Sequence, residues 1–336
     1  MNAREGDLVE SLDRIFFDVK GVVHPPDRVV AFIRYVPDPN GVRVKQEIKY
    51  SKYYALDKRY DLLKEKYPQY LVNDPVFNTT LCEVPTLDIK KHYQPADGLE
   101  NLRKKDVLDE AETAALQFME SIKENADVPW SKLGVSGSVL IGLQNAASDI
   151  DLIVYGVKTG HKVAKTMKNI LQDKTSPIKA YDLDGLRELY EFRSKDTAVS
   201  FEDFVRTDSR KVSHGKFMGK DFFIRFVKDH NEITEQYGSI IYKPEGRSKI
   251  RATILDDLES LFTPCSYKLG NVEVLEGTRT EHIEEIVSFR GRFCEHAKQG
   301  ETVVAEGKLE RIQQQGKHDH YRLLLGSTPA DHMILV

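Results

Sequence analysis

The chain has 336 residues, which suggests two or three domains, and its 40% apolar and 30% charged residues are those of a folded protein with a sizeable core. A net charge of −4 excludes a generally basic polyanion binder, so any nucleic-acid contact has to come from a local patch. No apolar run approaches the roughly 18 residues of a membrane span, MNAREGDLVE lacks the apolar centre of a secretory signal, and Cys82, Cys265 and Cys294 form neither a disulfide framework nor a zinc spacing, all of which points to a cytoplasmic protein with no membrane partner.

The first segment, 1–97, reads as a small α+β domain. RIFFDVKGVV, RVVAFIRYV and VRVKQEIKY are strand-like, parted by His24-Pro25-Pro26-Asp27 and by Pro37-Asp38-Pro39-Asn40-Gly41. Ala55 to Tyr67 reads as a helix, with Leu56, Tyr60 and Leu63 on one face and Pro68 as the stop. Six tyrosines (Tyr50, Tyr53, Tyr54, Tyr60, Tyr67, Tyr70) are read as packing residues in preference to a base-stacking surface.

A second segment, 98–235, begins over 98–130 with a charged stretch and a helix whose Leu108, Ala111, Ala115, Met119 and Ile122 share a face. Leu133-Gly134-Val135 follows as a strand. After the motif described below come a helix over His161 to Asp173, a helix over Leu186 to Phe192 capped by Asp184, a helix over Ser200 to Val205, and a hairpin over Lys216 to Val227 turning at Gly219-Lys220. The last segment, 236–336, holds short strand-like runs (ATIL, VEVLEG, EIVSFRGRF, TVVAEGKLERI, YRLLLG) and reads as a β-rich barrel or sandwich.

The most informative stretch is VSGSVLIGLQNAASDIDLIVYG. Ile150, Leu152, Ile153 and Val154 are strand formers, so Asp149 and Asp151 lie two apart and share a face. Two carboxylates so placed converge on a divalent cation, and Mg²⁺ (or Mn²⁺) prefers such hard oxygen ligands. Gly137-Ser138 upstream marks a strand-to-helix turn whose free N–H groups suit a phosphate. From 158 to 228 the chain carries 16 Lys and Arg against 10 Asp and Glu, a basic stretch fitting a triphosphate or polynucleotide.

This combination of Gly-Ser, short helix and Asp-x-Asp strand resembles the DNA polymerase β-like nucleotidyltransferase superfamily. It is most similar to the minimal nucleotidyltransferases and the archaeal CCA-adding enzymes, and covers about residues 131–228. The resemblance implies a mixed-sheet nucleotidyltransferase core inside an α+β fold. It assigns the metal to Asp149 and Asp151 and the triphosphate of an NTP to Gly137 and Ser138. It also implies two-metal transfer of an NMP to an acceptor. The flanking segments do not match a CCA-adding enzyme and lean toward an RNA or protein acceptor, as in an archaeal protein with this domain and no assigned substrate.

The family's third carboxylate falls here at Phe223. Either Asp221, one step earlier on the same strand face, serves in a shifted register as the third catalytic acid, or the acid is absent. Absence would favour the alternative: a catalytically degenerate nucleotide- or RNA-binding protein on the same scaffold. Asp182-Leu183-Asp184 is read as a helix cap. Arg290-Gly291-Arg292-Phe293 is read as structural in preference to a single-strand grip, and His161 and His214 as incidental. The Gly-punctuated strands near the C-terminus loosely resemble an OB-type barrel.

Overall fold

The computed structural model describes residues 1–196 and 198–336, and its mixed α+β architecture contains sheets of eight, five and six strands. The chain divides into two units. The first comprises Met1–Asp74, Thr79–Lys179 and Ser213–Thr234; the second comprises Pro75–Asn78, Ala180–Val212 and Glu235–Val336.

The first unit opens with the eight-stranded sheet: β1 (Leu8–Ser11), β2 (Phe16–Val19), β3 (Arg28–Pro37), β4 (Arg43–Lys45), β5 (Ile48–Lys52), β6 (Leu71–Asp74), β7 (Thr79–Pro85) and β8 (Ile89–Tyr93). The order is β4-β5-β3-β2-β1-β8, with β7 beside β3 and β6 beside β7. The three expected runs fall on β2 to β5. Strands β1, β6 and β8 escape a period-2 reading because they are short and polar. Helix α1 (Leu56–Lys66) forms where expected, but it buries Arg59, Leu62 and Leu63, leaving Leu56 and Tyr60 half-buried. Arg59 is tolerated inside because its guanidinium donates twice to the Tyr53 carbonyl, at 3.1 and 3.0 Å. Tyr50 and Tyr70 are core residues, whereas Tyr54 is exposed.

Glu83 on β7 is buried next to Asp74, and one of its oxygens finds no hydrogen-bond partner. Burial, then the adjacent Asp74, pushes its pKa up to about 8. A raised native pKa means that the folded state binds a proton the unfolded state has released. Stability from this group is therefore full below pH ~4.5 and is lost as pH rises toward 8. Glu83→Gln is expected to flatten that part of the thermal-stability profile, measured by circular dichroism from pH 5 to 8.5; an unchanged slope would contradict it.

The expected charged stretch and helix of 98–130 hold two helices, α2 (Pro95–Lys104) and α3 (Glu110–Ala126). Asp109 restarts the helix with a capping box, accepting from the Glu112 amide at 2.9 Å while Glu112 accepts from the Asp109 amide at 3.1 Å. Leu108, expected inside the helix, therefore precedes it. Asp109→Ala should cost about 1 kcal/mol in urea unfolding; no change would mean that the cap contributes nothing.

A five-stranded mixed sheet completes the unit: β9 (Leu133–Val135), β10 (Ile150–Tyr155), β11 (Ile178–Lys179), β12 (His214–Phe217) and β13 (Lys220–Val227), in the order β11-β12-β13-β10-β9. Strand β10 runs parallel to β13 and antiparallel to β9. Helices α3 and α5 (Val157–Gln172) pack against β10, and Phe118 of α3 meets the rings of Phe217 and Phe222 at 4.9 and 4.7 Å. The β12–β13 hairpin turns at Met218-Gly219, one residue before the expected pair, and both carry positive φ (51° and 78°). Leu8, Phe16, Tyr35 and Tyr50 share a core with Ile141 and Leu143, so segment 1–97 and the mixed sheet belong to one unit.

The second unit takes the helical stretch 180–212 out of the expected middle segment. Helix α6 (Leu183–Arg193) is capped by Asp182, which accepts from the Gly185 amide at 2.8 Å; Asp184, expected as the cap, sits in the first turn. Helix α7 (Phe201–Asp208) is capped by Ser200. The sheet comprises β14 (Ile240–Asp256), β15 (Cys265–Gly277), β16 (Ile283–Ser288), β17 (Thr302–Gln314), β18 (His320–Leu325) and β19 (His332–Leu335). Pairing runs β14-β15-β16-β18-β17-β19, and β17 also pairs with β14, closing a ring of five strands in which β16 and β18 are parallel. Ile250, Tyr267, Leu309 and Leu323 fill the core. Of β14 the sequence signals only ATIL; the stretch before it contains Pro244 and Gly246, which the ladder absorbs where its register slips between Pro244 and Arg247.

Candidate functional site

Strand β10 places Asp151 by burying its neighbours. Ile150, Leu152, Ile153 and Val154 are all inside, so the one polar side chain of the run faces the cleft at the strand's start. The cleft is lined by Asp18, Arg34, Tyr35, Gly137, Phe223 and Arg225, among others. Asp149 lies just before the strand, its side chain 44% exposed.

Gly137 shapes the other wall. The amide of Ser136 donates to the Asp151 carbonyl at 2.9 Å, and the chain then turns through Gly137 at φ +60° into the short helix α4 (Gly137–Ile141). A β-carbon on Gly137 would lie 2.0 Å from Asp151 Oδ2, so the carboxylate packs directly on the glycine backbone. The loop from α4 to Asp149 is held from β4: the buried Arg43 guanidinium donates to the Leu143 carbonyl and, at 3.1 Å, to Ser148 Oγ.

Ser138 does not reach the cleft. It is buried, and its hydroxyl donates to Ser148 Oγ at 3.2 Å. The neighbouring hydroxyl of Ser136 donates to the Gly6 carbonyl at 2.6 Å. Of the expected phosphate pair, only Gly137 lines the open space.

Asp221 stays outside the acid pair. Its strand partner is Lys216, which also holds its carboxylate at 3.0 Å. The residue beside Asp151 in the parallel ladder is Phe223. Among the described residues, no three of His, Cys, Asp and Glu gather into a metal-holding group. His214 is buried in the sheet next to Phe223. In the second unit, Phe293 is core and Arg292 donates to the Arg193 carbonyl at 3.5 Å, so the Arg-Gly-Arg-Phe segment packs internally.

The N-terminal sheet supplies charges that sequence reasoning missed. Lys52 Nζ stands 3.9 Å from Asp149 Oδ1 with its side chain 7% exposed. Arg225 Nη1 donates to Glu5 at 2.6 Å and lies 3.7 Å from Asp18, while Lys20 bridges Glu5 and Asp18 at 2.9 Å each. Burial works against an ionised Asp18, but Lys20, Arg225 and Arg34 outweigh it and hold its carboxyl well below the usual range. Asp151 behaves oppositely. Burial, and then the charge of Asp149, pushes its pKa up to about 6 against the pull of Lys52, Arg225 and Arg34. No spacing rule joins β2, β3 and β5 to β10, which is why these residues gave no signal.

Two acids in mutual repulsion, one of them accepting no hydrogen bond through its carboxylate from any described residue, form an oxygen-donor pair suited to a hard divalent cation. The set fits one such ion with its remaining ligands drawn from water and phosphate. Phe223 stands beside Asp151, Asp18 of the same cleft is engaged by Lys20 and Arg225, and among the described residues no third acid joins the pair to hold a second ion.

The chain is 31% identical over 336 residues to the uncharacterized protein MJ1086 of Methanocaldococcus jannaschii, an alignment covering 98% of this chain and 96% of that one. No family model matches the chain. No solved structure matches it.

Proposed function

The chain belongs to the family of that Methanocaldococcus jannaschii protein, and on this premise we propose that it is a nucleotidyltransferase of the DNA polymerase β-like kind, moving an NMP from an NTP to an RNA or protein acceptor. The observation that carries the reading is the Asp151 carboxylate, seated on the Gly137 backbone with Asp149 beside it. The order β11-β12-β13-β10-β9, with the acids at the start of a strand between one parallel and one antiparallel neighbour, supports the scaffold. The five-strand ring, in which the third and fifth members run parallel, supports an OB-like reading of the second unit.

Asp149 and Asp151 would hold Mg²⁺, which when bound supplies charge neutralisation on the phosphates. Gly137 leaves room for that cation and a phosphate by having no side chain. In the transfer, the acceptor oxygen bonds to the α-phosphorus, the bond from α-phosphorus to the bridging oxygen breaks, and pyrophosphate leaves with the electron pair. The acceptor proton passes to water on the open, Asp149 side. Arg225, fixed by Glu5 and Asp18, keeps a positive charge in the wall of the cleft.

A second reading has its own support. Phe223 stands where the resemblance places the third acid, which favours a protein that binds nucleotide or RNA without transfer. One experiment separates the two. The protein is incubated with Mg²⁺, each α-³²P-NTP, and total cellular RNA and protein. Label fixed covalently to a macromolecule supports transfer. Retention of NTP with no fixed label supports the binder, and neither result contradicts the nucleotide site altogether.

A further inference from the structure

We propose that Arg34 and Lys52, both carried by the N-terminal sheet, grip the phosphate chain of the nucleotide, the task that the resemblance assigns to Gly137-Ser138; this rests on the nucleotide-site reading above. Ser136 lines the cleft, but its hydroxyl is spent on Gly6 and that of Ser138 on Ser148, so neither hydroxyl donates to a phosphate there. Helix α4 has only five residues, too few for its dipole to serve in their place.

The cations are better placed. Arg34 lines the cleft together with Asp151 and Gly137. Its guanidinium lies 5.0 Å over the Tyr54 ring, and among the described residues it has no hydrogen-bond acceptor or ion-pair partner. Lys52 Nζ lies 4.6 Å over the same ring, and its ion pair with Asp149 has the long distance of 3.9 Å. Two like charges gathered at one aromatic ring repel each other unless anions lie nearby. Asp149 and Asp151 balance this pair, just as Asp18 and Glu5 balance Lys20 and Arg225, so the cleft is neutral. A divalent cation held by the acids leaves it positive, and a phosphate chain restores the balance. The planar fork of Arg34 suits two phosphate oxygens, and Lys52 acts as a point charge beside it.

The test measures Mg²⁺-dependent binding of ATP and of inorganic tripolyphosphate by calorimetry. It compares wild type, Arg34→Ala, Arg34→Lys, Lys52→Met and the pair Asp149→Asn with Asp151→Asn. Mn²⁺ binding alone is followed by electron paramagnetic resonance, and folding by thermal melts. Arg34→Ala and Lys52→Met should each weaken both ligands roughly tenfold or more, the loss expected for one charge-assisted hydrogen bond. Arg34→Lys should recover part of that loss. Mn²⁺ alone should bind the cation variants at least as tightly as wild type. Wild-type affinity for tripolyphosphate in both cation variants, with loss in the acid pair, overturns the grip and leaves the nucleotide site standing. Wild-type affinity in every variant, or no binding to wild type, overturns both. If Lys52→Met fails to fold, Arg34→Ala decides alone.

Discussion

Replacing Asp149 and Asp151 together by asparagine is expected to remove Mg²⁺-dependent NTP binding by roughly a hundredfold or more, beyond what loss of an outer-shell partner does to a metal site, while the chain stays folded. The two requirements pull against each other in most proteins, because removing a buried charge usually strands a partner. Here the partners are few. Lys52 is 3.9 Å from Asp149, and the Asp151 carboxylate accepts no hydrogen bond from a described residue. Burial and the charge of Asp149 already oppose ionisation of Asp151. Relief of that strain is offset by the loss of the acid next to the largely buried Lys52, so the double variant should stay folded with at most a modest fall in melting temperature at neutral pH. Calorimetry with each NTP, with and without Mg²⁺, measures the first effect and circular dichroism the second. Unchanged NTP affinity would remove the acids from the site. A collapsed melting temperature would show that they hold the fold together.

Gly137→Ala carries the second large effect, and Gly142→Ala is its internal control. Both glycines are left-handed, at φ +60° and +66°, so an alanine at either should lose about 1–2 kcal/mol of stability from backbone strain alone. Their surroundings differ. A β-carbon at Gly142 meets nothing within 4 Å, whereas at Gly137 it falls 2.0 Å from Asp151 Oδ2. Gly137→Ala must therefore move the carboxylate or the turn. It should lose Mn²⁺ and NTP binding as fully as the acid pair does, while Gly142→Ala keeps both. Equal binding by the two variants, with equal losses of stability, would show that contact between Asp151 and the glycine backbone does not shape the site.

The sequence made the local part of this site legible and left the distant part silent. Asp-x-Asp between apolar residues, a Gly-Ser turn upstream and the hairpin at Lys216 to Val227 are short-range patterns, and the elements form close to where the patterns place them, with Asp149 one residue ahead of its strand and the hairpin turn one residue early. Strand alternation could not tell which member of the Gly-Ser pair faces the cleft, because the Ser138 hydroxyl is drawn away by Ser148, ten residues on. Asp221 was one step from the expected register, and Lys216 across the hairpin captures it. Arg34, Lys52 and Asp18 arrive from strands more than eighty residues away in the chain, and only packing of the N-terminal sheet against α4 and its loop, with Arg43 as the tie, brings them in. The break between α2 and α3 was readable from Asp109 and Glu112, a capping box masked by the continuing apolar stripe. Of the long strand β14 the sequence signals only ATIL; Pro244 and Gly246 lie in the stretch before it, and a ladder tolerates them where its register slips.

The central claim is that Asp149 and Asp151 jointly hold a divalent cation over the Gly137 turn. The most direct measurement is anomalous scattering at the manganese edge from crystals grown with Mn²⁺ and a non-hydrolysable NTP. The expected result is a peak bridging the two carboxylates, with phosphate density running from it toward Arg34 and Lys52. A manganese peak elsewhere, or ordered nucleotide with none between the carboxylates, would contradict it.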